Sequence, residues 1–169
     1  MSTLHVADTG FFVAMGRPSK DRSRAVRRFA RRNNVTFVLP ERVYDELTGN
    51  EDDVRMPPID TSIGEGWASV ASPLAFSQPV VSRVMDGVQR YVANADDRPA
   101  DEIERADAAL AALAVQHLGT GTATEVYIYT TDIAAGEAAE TALASEGYGD
   151  SVTFVDGFRF IEDLRSEDS

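Results

Sequence analysis

The chain has 169 residues, with 16 Lys+Arg against 28 Asp+Glu and a formal net charge of −12. That length suits one domain with its own core, and a hydrophobic fraction of 43% argues against a disordered chain. Zero cysteines exclude disulfide scaffolds, thiolate zinc sites and cysteine nucleophiles, and no apolar run approaches the roughly 20 residues of a membrane span.

Leu4-His5-Val6-Ala7 reads as a buried strand that ends at Asp8, with Thr9-Gly10 as a turn. Arg17 to Arg32 reads as one amphipathic helix. Asn33-Asn34 is a turn, and Val35 to Leu39 is a second strand. Pro40 fits the first turn of a helix that carries Val43, Glu46 and Leu47 and ends at Gly49-Asn50. Glu51 to Asp60 is an acidic loop, because Met56-Pro57-Pro58-Ile59 cannot continue a helix. Ser62 to Ser77 has no clear period, and Trp67 and Val70 fit a short strand or a short helix. Pro79 to Asn94 has a helical period. Asp101 to His117 is a long alanine-rich helix stopped by Gly119-Thr120-Gly121. Val126 to Tyr129 is a strand that leads into Thr130-Thr131-Asp132. Ile133 to Glu146 is helical, Val152 to Val155 is the last strand, and Gly157 to Leu164 is a short helix. The alternation predicts an α/β domain with a mostly parallel sheet over residues 1–164, followed by a disordered tail, 165–169.

The charge is unevenly placed. Arg17 to Arg32 carries +7, and the rest of the chain carries −19. Ala25, Val26, Phe29 and Ala30 share one arc of the helix; Arg24, Arg27, Arg28, Arg31 and Arg32 share the other. Such a face is either solvated and paired with nearby carboxylates or a strip for phosphate oxygens. Lys20 is the only lysine, so chemistry that needs a lysine elsewhere is excluded. The acid-rich, lysine-poor composition is similar to that of proteins from salt-loving organisms. No secretory signal is visible at the N-terminus, which points to a cytoplasmic protein.

Four acids stand beside apolar sequence. Asp8 and Asp132 each follow a strand, where open parallel sheets bind their ligands. Glu46 lies beside Leu47, near the apolar side of its helix. Asp107 interrupts an alanine stretch. Each has a plainer reading. Asp8 and Asp132 fit as helix caps, Glu46 as a surface residue, and Asp107 as a partner of Arg105 or Arg98. Together they suggest a cluster neutralised by a cation, and an all-oxygen set selects Mg²⁺ or Mn²⁺.

The ordered set of strand–Asp8, Pro40…Val43…Glu46-Leu47, Ala106-Asp107-Ala108…Leu110 and Tyr127-Ile128-Tyr129-Thr130-Thr131-Asp132 resembles the PIN domain. The resemblance runs from His5 to about Phe160 and implies a three-layer α/β/α fold with an acidic pocket. It implies a Mg²⁺- or Mn²⁺-dependent endoribonuclease in which a metal-activated water cuts the phosphodiester. Asp8, Glu46, Asp107 and Asp132 would be the catalytic metal ligands, with Thr131 and Glu104 as auxiliary groups. The arginine strip would hold RNA. His5 and His117 read as structural. The stretch from about Glu51 to Pro99 is longer than in compact members of the family, which include toxins of toxin–antitoxin pairs. An inactive module that binds RNA or a protein partner, or a toxin with its antitoxin, are the alternatives, and a homodimer is a further expectation. A receiver-type phosphotransfer site is disfavoured, since no lysine follows a late strand, and the P-loop motif is absent.

Overall fold

The structure is a computed structural model that describes residues 2–49, 58–75, 77–96 and 105–168; side chains at 92–96, 105–107 and 168 are not described. Strand β1 (Thr3–Ala7) is the centre of the sheet. β2 (Phe37–Leu39) and then β3 (Ala68–Val70) flank it on one side; β4 (Glu125–Thr130) and then β5 (Val152–Asp156) flank it on the other. All neighbouring pairs are parallel. Ala7 pairs with Tyr129 and Thr130 with Asp156, so the strands finish level at one edge.

The period-2 rule divides the strand side chains between two cores. Val6, Val126, Ile128 and Val152 face α5 (Pro79–Asp96), α6 (Arg105–Thr120) and α7 (Ile133–Ser145). Ala108 to Val115 of α6 are all buried, as expected of a helix apolar all round. Phe37, Leu39 and Tyr129 face α1 (Thr9–Met15), α2 (Asp21–Asn33), α4 (Pro58–Gly64) and α8 (Gly157–Asp168), joined by Val43 of α3 (Glu41–Thr48). The result is three layers, α/β/α, around an all-parallel sheet.

Several elements differ from the sequence expectation. Thr9-Gly10 is no turn: Asp8 opens α1 at once, and the seven apolar-rich residues TGFFVAM are helical. The arginine helix begins at Asp21, after a loop containing Arg17, Pro18 and Lys20, and Asn34 ends it in the left-handed conformation at φ 53°. Pro58 starts α4 rather than breaking a helix, since the missing N–H is tolerated in a first turn. Trp67 precedes strand β3. The segment from Arg165, expected as a disordered tail, continues α8 to Asp168. The expected loop from Glu51 lies largely outside the described residues.

Candidate active site

Asp8 lies one residue beyond β1, in extended conformation, and caps α1. Its Oδ1 accepts from the Phe11 N–H at 2.8 Å. Its Oδ2 accepts a short hydrogen bond from the Thr130 hydroxyl. Its own N–H donates to the Tyr129 carbonyl at 3.1 Å, which extends the β1–β4 ladder by one bond. The carboxyl is buried, with Asp8 6% exposed. Burial pushes its pKa up to about 6; the bonds from Thr130 and Phe11 oppose that rise, and the nearby charges of Asp132 and Glu46 add to it.

Asp132 follows β4 and caps α7, with Oδ1 accepting from the Ala135 N–H at 3.1 Å. Its N–H donates to the Thr130 hydroxyl oxygen at 3.1 Å. Thr130 is fully buried, so one hydroxyl links the Asp8 side chain to the Asp132 backbone. Glu46 projects from α3, and its Oε2 accepts from the Thr9 hydroxyl at 2.5 Å. Asp8, Glu46 and Asp132 therefore share one electrostatic neighbourhood. Only Asp8 is buried, however. Glu46 and Asp132 are exposed, against the expectation of a buried cluster. Their positions on a helix face and beyond a strand end leave them open to water.

Asp107 is on α6, but its side chain lies outside the described residues, and Glu104 lies outside them entirely. Among the described residues, no group of three His, Cys, Asp or Glu is assembled as a metal cage. The donor chemistry still fits a hard divalent cation: only carboxylates meet, and the buried one lacks a cationic partner among the described ion pairs.

Thr131 is half-buried and wedged between two glycines. A Cβ on Gly10 would collide with its hydroxyl, and one on Gly157 would lie 3.2 Å from its methyl. Thr9 and Thr130 were not singled out by sequence reasoning. Thr130 shares strand parity with Val126 and Ile128, and that was the available signal. Asp156 was missed too. It ends β5 beside Thr130, and its Oδ1 accepts from the Phe158 N–H at 3.1 Å. The strand-end rule that picked out Asp8 applies to it equally.

The arginine strip is partly engaged. Arg24 pairs with Asp21 at 2.6 Å, and Arg27 and Arg31 both reach Glu65, at 3.5 and 3.2 Å. Arg28 also has a partner, whereas the exposed Arg32 shows no ion pair among the described residues. His5 Nδ1 lies 2.9 Å from the Tyr129 hydroxyl and its ring stacks on Tyr127. His117 Nδ1 lies 2.8 Å from the Thr122 hydroxyl. Burial lowers the pKa of both imidazoles. No helix among the described residues is long and apolar enough to cross a membrane.

Comparisons with curated proteins and with solved structures give no match. A family model, described as the halobacterial PIN domain, matches residues 1–169. With an all-parallel sheet and acids at its strand ends, the chain belongs to the halobacterial PIN-domain family.

Proposed function

We propose that this protein is a Mg²⁺- or Mn²⁺-dependent endoribonuclease. PIN domains are generally nucleases, and the finer reading rests chiefly on Asp8. A buried carboxyl without a cationic partner among the described residues, in the field of two further acids, is held at the carboxyl edge of a parallel sheet. Asp8, Glu46, Asp107 and Asp132 would hold the ion. When bound, such an ion lowers the pKa of water and stabilises charge on a phosphodiester. Thr130 fixes the direction of Asp8 Oδ2 and ties it to the start of α7. Thr9 holds Glu46 toward the same edge. Thr131 and Glu104 are assigned auxiliary roles, and Arg24, Arg27, Arg28, Arg31 and Arg32 would contact flanking phosphates. Because several of these arginines are already paired, RNA would have to compete with Asp21 and Glu65 for them.

The test is cleavage of assorted RNAs at molar KCl with Mg²⁺ or Mn²⁺. Asp8→Asn and Asp132→Asn should each lower the rate about a hundredfold or more. Calorimetric Mn²⁺ binding should weaken in Asp8→Asn. Unchanged cleavage in both variants would remove the acids from the reaction. RNA binding without cleavage would mark an inactive module, and co-purification of a small antitoxin would mark a toxin.

A further inference from the structure

On the far half of α1, beyond the acids, a cleft of about 260 Å³ opens between α1, α3 and α4. This is slightly below the roughly 300–1,000 Å³ of ordinary ligand pockets, so it suits one small ring system. Phe12 and Trp67 supply aromatic wall, and Leu47 and Ile59 supply aliphatic wall. Trp67 is 5% exposed, and its indole Nε1–H has no hydrogen-bond partner among the described residues. That N–H is itself shut off from the cleft, so what Trp67 offers there is the apolar part of its ring. At the rim stand Val13, 67% exposed, and Arg17, whose exposed guanidinium makes no ion pair among the described residues.

Two features favour a nucleotide as the occupant. The cleft shares the α1–α3 seam with the site: Leu47 follows Glu46, and Thr9 of α1 bonds Glu46 across that seam. The basic segment also starts at its mouth, with Arg17 at the rim and Arg22 donating to the Ala14 carbonyl at 3.3 Å. A polyanion lying along α2 would pass this opening. Aromatic walls accept the face of any base, and an Arg fork suits its phosphate.

We propose that this cleft takes one nucleobase of the RNA next to the cut, with the attached phosphate on Arg17. The assignment rests on the ribonuclease reading for its substrate class. It makes α1 a two-ended element, with acids at its start and base selection at its end.

Trp67 is the only tryptophan in the chain, so its fluorescence reports this cleft directly. The experiment titrates the metal-free full chain with each of the four nucleoside monophosphates and with the matching nucleosides. A saturable change in Trp67 emission is expected, with one base preferred. Arg17→Ala should weaken monophosphate binding about three- to tenfold and leave nucleoside binding unchanged. Val13→Glu should weaken both. Both substitutions are at exposed positions, so the fold should persist. No saturable change, or equal affinities in all variants, would overturn the proposal. So would an apolar peptide or dye that fills the cleft without competition from nucleotides. Base binding that survives in a protein with no RNA cleavage would sink the nuclease reading and leave the cleft standing. Cleavage without base binding would do the reverse.

Discussion

Asp8 is asked to stay buried and to be charged. Its carboxyl has an ordinary value of 3.8 and is raised to about 6 in the fold. A raised folded pKa means that the native state binds the proton more tightly than the unfolded chain. The stability it contributes is therefore fully present below about pH 3.8 and is lost as pH rises through about 6. In metal-free protein at neutral pH the ionised carboxylate should cost about 3 kcal/mol. Asp8→Asn removes that cost and keeps an oxygen for the Phe11 N–H. We expect it to raise the neutral-pH thermal midpoint of metal-free protein while abolishing activity, and to flatten the stability profile between pH 4 and 7. A denaturation series across pH checks this; a midpoint lowered by the substitution would show that burial is not the dominant cost. Thr130→Val tests the positioning hydroxyl. It should weaken Mn²⁺ binding about tenfold with the fold retained, because the Asp8 carboxylate loses its anchor. Calorimetry would read the loss, and an unchanged affinity would make Thr130 merely structural.

Among the elements, α7 shows how closely the layers meet. Gly136 lies on its buried side, and a Cβ there would collide with the Phe154 ring of β5. Gly136→Ala should therefore destabilise the protein by about 1–3 kcal/mol through overpacking, despite the better helix propensity of alanine. Urea unfolding measures it; a stabilised variant would show that the ring moves aside freely. The long elements were legible in the sequence, because α2, α5 and α7 have caps or sustained apolar periods. α1 was not, since its seven residues follow a strand directly and are too short to show a period. β3 was ambiguous for the same reason, with three residues. Asp8 and Asp132 could be found because strand ends are recognisable. Their different burial could not, since exposure depends on which loops and helices close over each strand end. The Thr9–Glu46 bond joins residues 37 apart and has no local signal.

At the scale of the molecule, the net charge of −12 is a self-repelling load relieved only locally by pairs such as Arg83–Glu146, which joins α5 to the end of α7 at 3.0 Å. Exposed pairs of this kind contribute little. Screening by KCl should therefore stabilise the fold, raising the melting midpoint about 2–4 °C for each kcal/mol of repulsion removed. A midpoint that falls from dilute to molar KCl would contradict this. If the arginines hold RNA as proposed, the same salt would weaken those contacts, so binding and stability should respond to KCl in opposite directions. A final consequence belongs to the ribosome. The hydroxyl that anchors Asp8 comes 122 residues after it, on a strand paired directly with β1. During synthesis Asp8 is made well before β4, and it has no such seat until that strand emerges. On the ribonuclease proposal, the acid site would therefore stay unassembled beside its own message until β4 has been made.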